Sequence, residues 1–298
     1  MKENILLVGT GALSTLFAAR LSEAGHQVSM LGTWKDGLQS LNQFGARVSD
    51  PNGHERSFQV HATDNPADLS EIRHAIVLVK SWQTKRVAEK LKRILAPDGI
   101  VLTLQNGLGN RETLARDLGA GRVALGITTT GATLLGPGLV KVGGEGTISL
   151  EQNQALGPLE AALRSSNFNL QVVPDARSLI WGKLVINAAI NPLTAILRVP
   201  NGELLSHPWA RKAMRALALE AADVAAAENV GLPFDNPIEA VEDVAYKTAN
   251  NISSMFQDVR RGAPTEVDAI NGAVTRRGEK RGIQTPYNRS CWQWVRSM

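Results

Sequence analysis

The sequence predicts an α/β N-terminal half built on a doubly wound parallel sheet, followed by an all-helical C-terminal domain. Three observations carry that expectation. Short apolar strands alternate with amphipathic helices through the first half, a glycine-rich turn directly follows the first strand, and strand signals vanish from Ala176 onward in favour of long alanine-rich helical patterns. The chain has 298 residues, about twice a common domain size, so two domains are expected, at 1–175 and 176–298. Pro174-Asp175 is the expected hinge.

Taken in order, Ile5 to Val8 is a continuous apolar run of the kind a parallel sheet buries on both faces, and Ala12 to Ala24 follows as a helix. Gln27 to Leu31, Ala75 to Val79 and Ile100 to Leu104 supply three further strands. Helices over Thr84 to Leu95 and Arg111 to Leu118 lie beside them. Arg122 to Leu134 and Leu139 to Leu150 read as the arms of a hairpin turning at Gly136-Pro137-Gly138, and Leu170 to Val173 as the last strand. Trp181 to Ile196, Pro208 to Glu228 and Glu266 to Lys280 read as helices of the second half.

Composition narrows the function classes. With 43% hydrophobic and 20% charged residues the chain can bury a sizeable core, which excludes intrinsic disorder. A net charge of +4 suits small anions, whereas Arg276, Arg277, Lys280 and Arg281, interrupted by Glu279, read as a solvated helix face, so no nucleic-acid partner is expected. The single cysteine, Cys291, cannot close an internal disulfide and fits a reducing cytoplasm. Lys2 to Ala19 superficially resembles a signal peptide, but Glu3, Asn4 and two glycines interrupt it. No apolar run approaches the roughly 20 residues that cross a bilayer, so no membrane partner is expected. The histidines and the cysteine show no metal-ligand spacing, and no metal is expected. The sequence leaves a homodimer open.

Gly9-Thr10-Gly11-Ala12-Leu13-Ser14 sits where a dinucleotide fingerprint belongs, after the first strand and opening the first helix, as in a Rossmann-type domain. The first glycine permits the tight turn, the second lets backbone N–H groups approach a pyrophosphate, and the helix N-terminus favours that anion. Ser14 replaces the usual third glycine, and an ordinary glycine turn is the alternative reading. At the end of the second strand, Leu31-Gly32-Thr33-Trp34-Lys35 lacks the acid that would hold ribose hydroxyls and repel a 2′-phosphate. Thr33 and Lys35 could receive that phosphate, which points to NADPH, while Asp36 argues the other way. Lys80 and Gln105-Asn106-Gly107 end the third and fourth assigned strands, where ligands of open α/β sheets gather; a solvated lysine and a plain turn are the alternatives.

In the second half, Lys183, Asn187 and Asn191 lie four residues apart in an otherwise apolar helix and line one stripe. A stripe of that kind needs partners, from the protein or from a polar ligand, and a lysine is the hardest member to explain as core. Pro192 predicts a kink or break near Asn191. Glu266, expected at a helix start after Thr265, is the acidic candidate to face Lys183, against a plain role beside the helix dipole. Ser253-Ser254, after Asn250-Asn251, reads as cap chemistry or as site.

These blocks together resemble the ketopantoate reductase family, the 2-dehydropantoate 2-reductases, along nearly the whole chain. They are Gly9 to Ser14, Val79-Lys-Ser-Trp-Gln-Thr84, Leu104 to Asn110, Thr128 to Ala132, Lys183 through Asn201-Gly202, and Asn251 to Asp258 continuing to Thr265-Glu266. The resemblance implies a Rossmann domain and a helical domain, with NADPH and a small 2-oxo acid meeting in the cleft between them, and a role in making pantothenate. It matches Lys183 to the family's catalytic lysine, with Glu266 in the active centre beside it. It matches Asn106, Asn187, Asn191, Asn201 and Ser254 to substrate contacts, and Lys80, Asn106, Ala132 and Glu266 to positions near the cofactor or active centre. Thr33 stands where some members carry an arginine, and Thr130 where a histidine is common.

Hydride addition to a ketone builds negative charge on its oxygen, and Lys183 is the candidate cation or acid for it. The asparagines would orient the substrate, Ser254 would help hold its carboxylate, and Glu266 would position the lysine. Two alternatives stand beside reduction of 2-dehydropantoate: a reductase of another small 2-oxo acid, and a non-catalytic NADPH-binding sensor.

Overall fold

The computed structural model describes residues 2–50, 52–69 and 71–298, and the chain divides into two compact units. The first comprises Met1–Val79, Gln83–Gln105 and Asn110–Ala176; the second comprises Lys80–Trp82, Asn106–Gly109 and Arg177–Met298. The first unit runs β1 (Asn4–Val8), α1 (Ala12–Glu23), β2 (Gln27–Leu31), α2 (Lys35–Phe44), β3 (Ala46–Ser49), β4 (Glu55–Phe58), β5 (His61–Thr63), β6 (Ile72–Val77), α3 (Thr84–Ile94) and β7 (Leu95–Thr103). It continues through α4 (Asn110–Leu118), β8 (Val123–Thr128), β9 (Gly131–Gly136), β10 (Leu139–Gly144), β11 (Thr147–Glu151), α5 (Gly157–Ser165) and β12 (Asn169–Val173). The second contains α6 (Arg177–Leu197), α7 (Glu203–Ser206), α8 (Pro208–Ala227), α9 (Pro237–Lys247), α10 (Ser254–Arg260), α11 (Asn271–Arg281) and α12 (Pro286–Arg296).

The main sheet has the order β12-β11-β8-β7-β6-β1-β2-β5; among the described residues its pairs are parallel apart from β8 with β11. The period-2 alternation of β1 explains why it lies at the centre. Ile5 and Leu7 face one way, onto Leu16, Phe17 and Leu21 of α1, while Leu6 and Val8 face the other, joining Val87, Ala88 and Leu91 of α3 and Leu114 of α4. All of these side chains are buried. With β2 on one side and β6 on the other, the carboxyl end of β1 is the switch point at which an open α/β sheet binds ligands.

The predicted hairpin is corrected in a definite way. Each long arm breaks in two, at Thr129-Thr130 and at Glu145-Gly146, and the halves enter different sheets. β9 and β10 form the hairpin proper and join β3 and β4 in a second, four-stranded sheet of order β4-β3-β10-β9; β8 and β11 pair in the main sheet. The second sheet contributes Ala46, Val48 and Val140 to the core that contains α1. Sequence reading passed over α2, β3, β4, β5 and α5, because short strands such as Glu-Arg-Ser-Phe in β4 carry almost no apolar alternation. β6 and β7 also start earlier than predicted, at Ile72 and Leu95, since His74 and Pro97-Asp98 interrupt the apolar pattern.

Helix α6 runs unbroken through Pro192, so of the predicted kink or break the break does not occur. A proline inside a helix normally costs about 3 kcal/mol, because it removes one hydrogen bond and crowds the carbonyl four residues back. That carbonyl, Ala188 O, accepts instead from Nδ2 of Asn271 at 2.9 Å. Contrary to the sequence reading, α6 is long and apolar enough to cross a membrane by length and composition, yet 67% of its apolar window is buried inside the protein. It packs with α8, α10 and α12 around a core containing Leu184, Val185, Met214, Leu217, Val224 and Val274. The helix predicted from Glu266 begins at Asn271, and residues 267–270 form turns.

Candidate active site

At the switch point, Gly9 has φ +131°, and a Cβ there would meet Ser14 Oγ at 2.7 Å. Ser14 is buried, so a small residue at position 14 is what lets α1 lie close against β1. Gly11 differs. It has an extended conformation with φ −86°, caps α1, and a Cβ built on it would have nothing within 4 Å. No packing demand explains a glycine there, whereas an anion approaching the backbone would. The first turn of α1 has no acidic residue and no side-chain cap, so its N–H groups at Ala12 and Leu13 stay available to an anion. Thr10 is buried under Gly32, and Thr33 and Lys35 are exposed after β2, free to meet a ligand. Ala132 lies on β9, opposite Val142 in the second sheet.

The loops after β6 and β7 belong to the second unit, where they converge on Glu266. This carboxylate is only 5% exposed. Its Oε1 accepts from the backbone N–H of Ser81 at 3.0 Å, its Oε2 accepts from Asn106 Nδ2 at 3.1 Å, and Lys80 Nζ lies 3.6 Å from Oε2. Lys80 Nζ also donates to Asp258 Oδ2 at 2.6 Å, and Asp258 Oδ1 accepts from Arg261 Nη2 at 2.8 Å. Gly107 has φ +80°, and a Cβ on it would come within 2.5 Å of Ala269 O; next to it the Leu108 N–H donates to that carbonyl. A tight glycine turn thus fixes Asn106 against the segment that carries Glu266. The helix-dipole reading of Glu266 gives way to this hydrogen-bonded role.

Lys183 sits on α6. Burial pulls its ammonium down from 10.5 to about 8, and the negative charge of Glu266 opposes the shift. One and two turns further along, the Asn187 and Asn191 side chains make no hydrogen bond with any described residue, although Asn191 is buried. Two polar amides left without a partner among the described residues, on the stripe of a half-buried lysine, are what a polar ligand would satisfy. Asn201 Nδ2 donates to Thr248 Oγ1 at 2.9 Å, while its Oδ1 is buried without a partner. Ser254 is exposed at the start of α10. Its neighbour Ser253 caps that helix by accepting from Phe256 N, and shares a 2.7 Å hydroxyl contact with Thr194 of α6.

The structure brings Lys80, Asn106 and Glu266 together, as named from the sequence, and adds Asp258, Thr194 and the Ser81 amide, which the sequence did not single out. Asp258 lay within a quoted block, but its burial against Lys80, 178 positions away, left no local signal.

Family comparison covers both units. Residues 5–155 match the model described as ketopantoate reductase PanE/ApbA, and residues 175–298 match ketopantoate reductase PanE/ApbA C terminal. The chain belongs to the ketopantoate reductase family. A 2-dehydropantoate 2-reductase from Archaeoglobus fulgidus is 39% identical over 301 residues, covering 99% of this chain and 98% of the relative. One from Halobacterium salinarum is 33% identical over 98% of this chain and 97% of its own length. Among solved structures, a PanE/ApbA family ketopantoate reductase from Ralstonia eutropha JMP134 superposes with a TM-score of 0.92 at 30% identity, covering 98% and 97% of the two chains. A D-mandelate dehydrogenase, solved with NADH and anilino(oxo)acetate, also reaches 0.92, at 26% identity and 99% and 97% coverage. The family assignment confirms the α/β sheet domain and the helical C-terminal domain.

Proposed function

We propose that the chain reduces 2-dehydropantoate to pantoate with NADPH, a step toward pantothenate, with residues 1–175 as the cofactor domain and 176–298 as the substrate domain. The observation that carries the reading is the α6 stripe: a half-buried lysine whose acidity is raised, followed by two amides without partners among the described residues, in a chain of this family.

The nucleotide end fits the cofactor. Gly9, Thr10, Gly11, Ala12, Leu13 and Ser14 would hold the pyrophosphate, with the open space over Gly11 and the uncapped N-terminus of α1 supporting that assignment. Exposed Thr33 and Lys35 would take the 2′-phosphate, and Ala132 and Lys80 are assigned to the cofactor's surroundings. When bound, the nicotinamide supplies the hydride.

The protein's own groups do the rest. Lys183 in its charged form gives a proton to the ketone oxygen as hydride adds to the carbonyl carbon and the C=O π bond breaks. A pKa near 8 suits an acid that must be charged at neutral pH yet release its proton readily. Glu266, fixed by Ser81 and Asn106, holds the charge of Lys183 in place. Asn106, Asn187, Asn191 and Asn201 orient the substrate's polar groups, and Ser254 holds its carboxylate. The reaction is assigned to a reducing cytoplasm because the single cysteine closes no internal disulfide; Cys291 is buried and burial raises its thiol to about 11, so activity should be the same with and without a thiol reductant.

The D-mandelate dehydrogenase likeness favours one second reading, a different 2-oxo acid and NADH. Following nicotinamide oxidation with 2-dehydropantoate and a panel of aliphatic and aryl 2-oxo acids, using each cofactor in turn, separates the two. The highest kcat/KM should fall on 2-dehydropantoate with NADPH, and an aryl 2-oxo acid with NADH in first place would replace the reading.

A further inference from the structure

A buried polar chain crosses the helical unit and ends at the middle of α6. Glu220 on α8 accepts from three N–H groups at the start of α12. They are the backbone of Tyr287 at 2.9 Å, the backbone of Asn288 at 2.9 Å and the side chain of Asn288 at 2.8 Å. A carboxylate there also complements the helix dipole. Asn288, fully buried, donates again to Leu217 O at 3.1 Å and accepts through Oδ1 from Asn271 Nδ2 at 2.9 Å. Asn271, equally buried at the start of α11, gives the other hydrogen of the same amide to Ala188 O. That carbonyl is the one Pro192 leaves without its helix partner, and it lies in the turn between Asn187 and Asn191.

We propose that Asn271 is a positioning residue for the substrate-binding amides of α6: its side chain replaces the helix hydrogen bond that Pro192 removes and, anchored through Asn288 to Glu220, fixes the turn carrying Asn187 and Asn191. Two observations separate this from general core polarity. The bond goes to the single carbonyl of α6 that its internal proline frees, and the donor belongs to a network anchored on a carboxylate rather than to a lone amide. The inference rests on the reading of Asn187 and Asn191 as substrate contacts.

The test uses the full-length chain and a rescue. Asn271→Leu removes the donor at similar volume, and Pro192→Ala restores a backbone N–H that can reach Ala188 O by the ordinary i to i−4 bond. Amide hydrogen exchange over residues 184–195 reads the clamp without reference to catalysis. It should quicken in Asn271→Leu and return toward wild type in the double variant. Kinetics read the positioning. KM for 2-dehydropantoate should rise on the order of 10-fold in Asn271→Leu, as expected for a displaced substrate-binding group, and recover in the double variant. NADPH affinity, measured by fluorescence titration, should stay unchanged throughout. Exchange that quickens and recovers while KM stays constant would overturn the positioning role. So would a KM loss that Pro192→Ala does not repair, or failure of both variants to fold. If wild type showed no turnover of 2-dehydropantoate at all, the functional reading would fail while the exchange arm still reported on the clamp.

Discussion

An ammonium partly withdrawn from water costs folding free energy, and the size of that cost at Lys183 makes its role measurable. The shift from 10.5 to about 8 corresponds to something on the order of 3 kcal/mol against the folded state at neutral pH. Lys183→Met keeps the stem and removes the charge, so it should stabilise the protein while lowering kcat by roughly 10²-fold or more, the range for a lost general acid. A structural lysine would give the opposite pattern, with Tm falling and kcat retained. The same shift sets the pH dependence. In the proposed role the charged form is the proton donor, so kcat/KM should fall as pH rises through about 8. Stability should move the other way between about 8 and 10.5, because there the unfolded chain keeps a proton that the folded one has released. Chemical denaturation at pH 7.5 and 9.5 checks the sign. For the amides, Asn187→Ala and Asn191→Ala should raise KM for the 2-oxo acid with little change in NADPH affinity or Tm, since neither side chain has a partner to lose among the described residues.

Two glycines of one turn separate folding from binding at the level of an element. Gly9→Ala puts a methyl 2.7 Å from Ser14 Oγ at φ +131°, so it should lower Tm whether or not cofactor is present. Gly11→Ala meets nothing in the protein, so Tm without cofactor should hold while NADPH affinity falls; intact NADPH affinity would remove the pyrophosphate assignment. At the end of β2, Thr33→Glu should move the kcat/KM preference from NADPH toward NADH by repelling the 2′-phosphate. These elements were legible in the sequence because β1, α1 and β2 carry strong local signals. What escaped was non-local. β8 to β11 read as two long arms because apolar runs do not announce that their halves pair in different sheets, with Thr129-Thr130 and Glu145-Gly146 as the crossings. Of the kink or break predicted at Pro192, the break does not occur for the same reason: its compensation comes from Asn271, 83 positions from Ala188.

For the whole molecule, two units have separate cores, one carrying the uncapped N-terminus of α1 and the other the Lys183 stripe and Glu266. The loops Lys80–Trp82 and Asn106–Gly109 interrupt the first unit in sequence yet belong to the second, so Lys80 and Asn106 are fixed by Asp258, Glu266 and Ala269. Spacing alone could not show that convergence; the family's blocks indicated which residues would take part. The central claim is a single balanced reaction, one hydride and one proton added to one ketone. Its most direct test incubates the purified chain with NADPH and 2-dehydropantoate and measures cofactor consumed against pantoate formed. One pantoate should form for each NADPH oxidised, with the rate of formation lowered by roughly 10²-fold or more in Lys183→Met. NADPH that binds tightly while no pantoate forms would contradict it and leave a cofactor-binding protein without this chemistry.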